Sequence, residues 1–177
     1  MHSLPKLIGF TGMAYNGKST AANFLVDLGY TKLSFSNAVK EMAIKYFKVS
    51  KEDAYINKPP HVRTILQGIG SMMREETHPD FWATKALSKC TDASILYTID
   101  DVRYINEAKM IKQARGILIR IVCPDTPLAL TGEAANHLSE TEQDTIDVDY
   151  TIIAKYGDVA TIQYQLFKIL NIGGTEE

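Results

Sequence analysis

The sequence predicts an α/β fold of three layers, with a parallel sheet of about five strands between helices. Short apolar runs alternate with segments whose apolar residues recur at helical spacing, the order that parallel strands joined by crossover helices require. The runs are apolar almost throughout, as strands covered on both faces are. The first run leads through a glycine-bounded loop straight into a helix-like segment. At 177 residues the chain is expected to form a single domain, 1–177.

The first strand is Leu7-Ile8-Gly9-Phe10-Thr11, and the helix after it carries Ala21, Phe24, Leu25 and Leu28 before Gly29 stops it. Between them, Gly12-Met13-Ala14-Tyr15-Asn16-Gly17-Lys18-Ser19 fits G-x-x-x-x-G-K-[ST]. Gly12 and Gly17 allow the turn and the close approach of backbone N–H groups to phosphate oxygens, beside the positive end of the helix dipole. Lys18 is then placed for the β- and γ-phosphates and Ser19 for Mg²⁺, with Asn16 in the loop and Thr20 as a weaker α-phosphate contact. The motif makes this a phosphate-binding loop and the fold that of the P-loop NTPases.

Tyr30 to Phe35 reads as a second strand, and Asn37 as the cap of a helix through Val39, Met42, Ala43, Tyr46 and Phe47. Ser50 to Pro60 is polar and broken by Pro59-Pro60, after which apolar residues 62, 65, 66, 69, 72 and 73 mark another helix. Pro79 restarts a shorter one with Phe81, Trp82 and Leu87. Residues of about 37–90 read together as an acceptor-binding insertion. Ala93 to Ile99 is the third strand, ending in Asp100-Asp101-Val102-Arg103, where strand-end carboxylates point into the crevice that binds ligands in such sheets. A helix through Ile105, Ala108 and Ile111, a strand at Gly116 to Val122, a polar acidic stretch, a strand at Tyr150 to Ala154, and a helix through Val159, Ile162, Leu166 and Leu170 complete the order. That last helix is expected to end at Asn171 and Gly173-Gly174.

Composition narrows the partners. Hydrophobic residues make up 45% and charged residues 23%, a globular balance, and no run approaches a membrane span. The start of the chain has no signal-peptide pattern, so the cytoplasm is the expected compartment. A net charge of -2 argues against polymeric nucleic acid and for small-molecule nucleotides. Cys90 and Cys123 stand apart, without metal-ligand spacing, and read as reduced thiols.

All five arginines lie between positions 63 and 120, whereas Ile121 to Ala154 contains neither Lys nor Arg. Forked recognition of phosphate favours arginine. Arg103 and Arg63 rank first as phosphate ligands, Arg74 next, and Arg115 and Arg120 well below.

Gly9 to Ser19, Phe35 to Lys40, Arg63-Thr64-Ile65-Leu66-Gln67-Gly68-Ile69-Gly70, Arg74, Pro79-Asp80-Phe81-Trp82, Asp101-Val102-Arg103-Tyr104-Ile105-Asn106-Glu107 and His137-Leu138-Ser139-Glu140 together resemble the phage-type deoxynucleoside monophosphate kinases. The R-x-x-L-Q-x-x-G helix and the later D-V-R-x-x-N-E segment carry most of the specificity. The resemblance implies a nucleoside monophosphate kinase-like fold and transfer of the ATP γ-phosphoryl group to a deoxynucleoside 5′-monophosphate with Mg²⁺. It implies that Lys18 and Ser19 serve ATP and metal, and that Arg63, Gln67, Arg74 and Arg103 line the acceptor side. Asp101 would orient the metal or its waters, with Asp100 as substitute. Glu107, Glu140 and His137 read as cap or loop residues.

Two departures stand out. Similar kinases often have an acid where this chain has Asn37, and a phosphate acceptor, already anionic, needs a general base less than a hydroxyl does. Related kinases bring arginines on a lid, but the lid expected here, about 124–147, has no basic residue. A homodimer lending an arginine in trans stays open, as do two other functions: a P-loop kinase of a small hydroxyl acceptor, similar to dephospho-coenzyme A kinases, and a nucleotide-dependent switch.

Overall fold

The computed structural model describes residues 4–127 and 142–171. These form two compact units, one running to Leu33 and resuming at Asp92, the other Ser34–Thr91.

The first unit holds a five-stranded, wholly parallel sheet: β1 (Leu7–Thr11), β2 (Tyr30–Leu33), β3 (Leu96–Ile99), β4 (Ile117–Val122) and β5 (Tyr150–Ile153), in the order β2-β3-β1-β4-β5. On one face lie α1 (Lys18–Asp27) and α6 (Val159–Ile169). Ile8 and Phe10 of β1 and Ile119, Ile121 and Ile152 meet Ala21, Ala22 and Leu25 of α1 and Ile162 and Leu166 of α6. Burying each of the larger of these side chains contributes about 1.5–3 kcal/mol.

Side chains alternate along a strand, so Gly9 faces the other way, toward α5 (Ile105–Gln113). A Cβ on Gly9 would stand 2.6 Å from Ile111 Cδ1 and 3.0 Å from both Leu118 and Val102. The missing side chain lets α5 lie directly on the central strand, and three layers result.

The second unit is helical. It comprises α2 (Asn37–Phe47), a π-helical turn at Asp53–Asn57, α3 (Pro60–Glu76) and α4 (Phe81–Leu87). Val39, Ala43, Ala54, Val62, Ile69 and Trp82 form its core, and the Trp82 indole N–H donates to the Gly70 carbonyl at 3.0 Å.

Several boundaries differ from the sequence reading. The strand expected to start at Ala93 starts at Leu96, because the Asp92 carboxylate takes the Ser94 N–H at 2.8 Å and its hydroxyl at 2.6 Å, closing a turn. β2 stops at Leu33, short of Phe35. Asn37 is the first residue of α2, and Ser36 takes the cap position. Pro60 begins α3 instead of only breaking what precedes it, since the first helical turn has no use for its missing N–H. In the polar segment before Pro59-Pro60, the Ser50 hydroxyl accepts from the Asp53 N–H at 2.9 Å and starts a π-helical turn. Of the expected lid, 128–141 lies outside the described residues, His137 and Glu140 with it, and so do Gly173 and Gly174.

Candidate active site

The loop between β1 and α1 depends on two glycines. Gly12 has φ +128, and a Cβ there would meet the Ile121 carbonyl oxygen at 2.3 Å. Gly17, φ +94, precedes α1 and leaves its N-terminus without a side-chain cap. Tyr15 also takes a left-handed turn, φ +67. The same Ile121 carbonyl accepts from the Asn16 amide at 3.3 Å, so β4 anchors the loop at both places. The other amide atom, Asn16 Oδ1, is buried with no hydrogen-bond partner among the described residues.

Lys18 is 8% exposed and curls back over the loop. Its ammonium donates to the carbonyls of Gly12 at 2.5 Å and Met13 at 2.7 Å. Those contacts hold a positive charge inside the turn that would cradle phosphate.

β1 and β3 are neighbours, so the end of β3 lies beside the loop. Asp100, nearly buried, accepts from the Ser19 hydroxyl at 2.6 Å through Oδ2. The same oxygen stands 2.7 Å from the Lys32 ammonium. Of the two strand-end carboxylates it is therefore Asp100 that touches Ser19, and half-buried Asp101 follows it. A hydroxyl and a carboxylate are the hard oxygen donors that Mg²⁺ takes alongside phosphate oxygens. The ammonium on the same oxygen marks the place as one for positive charge. The residues fit a metal nucleotide.

Beyond Asp101 the chain turns into α5. Half-buried Arg103 precedes that helix, and Glu107, 4% exposed, accepts the backbone N–H groups of Arg103 at 2.8 Å and Tyr104 at 3.1 Å. Glu142 accepts the Ile105 N–H at 2.8 Å. Two carboxylates thus satisfy the start of α5, and the reading of Glu107 as a cap agrees.

Arg115 turns the end of α5 with φ +59, and Arg120 donates to the carbonyls of Gln143, Asp144 and Ile146 at 3.1, 3.2 and 2.6 Å. The Arg120 side chain is thus taken up by backbone carbonyls, and Arg115 is exposed.

A cavity of about 260 Å³ opens beside the loop, lined by Asn16, Gly17 and Thr20 and by Tyr156, Gly157 and Asp158 from the connection between β5 and α6. Cys123 is in its wall; burial, with Asp125 beside it, pushes its thiol above the ordinary range, and both cysteines are free. Lys32 and the 156–158 connection escaped the sequence reading. The register of β2 against β3, with Leu33 opposite Ile99, would have exposed Lys32.

The second unit carries Asn37 on α2 and Arg63, Gln67 and Arg74 on α3, all half-buried. At 100° per residue the three α3 side chains fall within about 40° of one another, with Gly70 on the same stripe. They flank the apolar face of the helix, and the Arg74 guanidinium lies where a Gly70 Cβ would be 3.4 Å away.

No family model matches the chain. A protein of Acanthamoeba polyphaga mimivirus named deoxynucleotide monophosphate kinase is 30% identical over 145 residues, 67% of this chain and 74% of its own. The fold is similar to TT1252 from Thermus thermophilus (TM-score 0.54, 16% identity, 97% of this chain and 100% of that one). It is also similar to dephospho-CoA kinase from Campylobacter jejuni (0.51, 16%, 94% and 96%) and shikimate kinase from Acinetobacter baumannii (0.50, 14%, 98% and 97%). No helix among the described residues is long and apolar enough to cross a membrane. The fold class is one typical of ATP- and Mg²⁺-dependent P-loop kinases, and by its viral relative the chain belongs among the deoxynucleoside monophosphate kinases.

Proposed function

We propose that the protein transfers the γ-phosphoryl group of ATP to a deoxynucleoside 5′-monophosphate, giving the diphosphate. The observation that carries this reading is the α3 stripe of Arg63, Gln67 and Arg74 in a chain whose other unit already holds a complete phosphate loop. Arginine forks set apart from that loop suit an acceptor that is itself a phosphate.

In this reading the loop N–H groups and Lys18 hold the β- and γ-phosphates, and Lys18 exchanges its carbonyl contacts for phosphate oxygens. The cavity beside Asn16 and Tyr156 takes the donor nucleoside. Ser19 and Asp100 hold Mg²⁺, with Asp101 orienting its waters. Bound Mg²⁺ supplies charge neutralisation on the phosphates. Arg63 and Arg74 bind the acceptor phosphate, Gln67 and Asn37 its nucleoside, and Arg103 meets charge on the group in transfer. The acceptor oxygen is already anionic, so Asn37 in place of an acid is no handicap.

The test is phosphoryl transfer from ATP with Mg²⁺ to each deoxynucleoside monophosphate, alongside AMP and dephospho-coenzyme A. We expect diphosphate from at least one deoxynucleotide and a loss of about a thousandfold in Lys18→Ala. Transfer to a hydroxyl acceptor alone would replace this reading with the dephospho-coenzyme A kinase-like one. Hydrolysis without transfer would leave a nucleotide switch.

A further inference from the structure

Lys32 has no part in the loop motif, yet its ammonium sits on the oxygen that matters most to it. Asp100 Oδ2 receives the Ser19 hydroxyl at 2.6 Å and the Lys32 ammonium at 2.7 Å. The Asp100 side chain is 11% exposed and that of Lys32 30% exposed, so most water has been removed from the pair. A carboxylate so placed needs a counter-charge, and Lys32 supplies it. The lysine also has a second acceptor, the Asn23 side-chain oxygen on α1, at 3.1 Å.

A divalent cation arriving with the nucleotide brings its own positive charge to the same carboxylate. Two cations at one oxygen repel, and the ammonium is the one on a flexible stem. Retreat toward Asn23 costs it one acceptor of two. We propose that Lys32 is a positioning residue: it holds Asp100 against Ser19 when no metal is bound, yields the oxygen when metal nucleotide binds, and thereby sets the metal affinity of the site. This rests on the assignment of Ser19 and Asp100 to Mg²⁺.

The experiment titrates Mn²⁺ into ADP-saturated protein and reads the free ion by electron paramagnetic resonance. Wild type, Lys32→Gln, Lys32→Arg and Asn23→Ala are compared, with each fold checked by circular dichroism. Removing the charge in Lys32→Gln should tighten Mn²⁺ binding about fivefold, the size expected of a partly exposed ion pair. Asn23→Ala removes the second acceptor and should weaken it about twofold, while Lys32→Arg stays near wild type. Unchanged or weaker Mn²⁺ binding in Lys32→Gln overturns the proposal. Should Lys32→Gln not fold, Asn23→Ala decides alone, and unchanged or tighter binding there overturns it. Wild type that binds no Mn²⁺ in the presence of ADP overturns the metal assignment along with it, and that separates the two failures.

Discussion

The phosphate loop owes its shape to its backbone, whereas what the proposed function asks of α3 is carried by side chains. Gly12 and Gly17 hold positive φ, the Ile121 carbonyl leaves no room for a Cβ on Gly12, and Lys18 is bonded to two loop carbonyls. The α3 stripe, by contrast, rests on an ordinary helix whose period aligns Arg63, Gln67 and Arg74. The difference teaches where a substitution will be felt. On the proposed function, a change in the loop should disturb folding and chemistry together, whereas a change on the stripe should act mainly on the acceptor.

Glycine in the loop gives the largest expected effect. Gly12→Ala combines a conformation that L-residues avoid with a collision against backbone, and should cost about 3 kcal/mol in urea unfolding. An intact midpoint would break the comparison. Next comes Arg63→Ala, for which acceptor KM should rise about tenfold to thirtyfold, with ATP affinity and urea midpoint close to wild type. A fall in stability of the size expected for Gly12→Ala would mean that the stripe is structural.

Gly68 sharpens the contrast because it is the same residue type in the other setting. It lies in α3 with nothing within 4 Å of an added Cβ, so Gly68→Ala should stabilise the protein by about 1 kcal/mol without changing kinetics. The smallest effect concerns acid. The Asp158 carboxyl is held below its ordinary range by the Thr161 hydroxyl and backbone N–H at the start of α6. A lowered pKa contributes stability above the unfolded value, about 3.9, and loses it as pH falls through the folded value. Unfolding measured from pH 5 downward should therefore fall less steeply in Asp158→Asn than in wild type.

Much of this was legible beforehand because local rules carry it. Five largely apolar strand segments and the glycine loop leave periodic or fixed-spacing marks, and all five strands occur in the expected order, although the edge strands β2 and β5 are not buried on both faces. What could not be read depends on register. Whether Asp100 or Asp101 meets Ser19 follows from the parity of side chains along β3, and composition is silent on parity. Lys32 becomes visible only once β2 is laid beside β3, and Tyr156, Gly157 and Asp158 reach the loop from a connection that bears no motif. The Asp92 turn shortened β3 through a side chain competing with the ladder, which apolar periodicity does not register.

Two helices, α1 and α5, begin just beyond the neighbouring strands β1 and β3, and each start carries the partial positive charge that attracts anions. At α5 Glu107 and Glu142 already accept the N–H groups that begin the helix. At α1 a glycine stands where a capping side chain would be. The chain's own carboxylates thus occupy one of the two helix starts and leave the other uncapped, so an anion binding as proposed above would meet no resident carboxylate cap at α1.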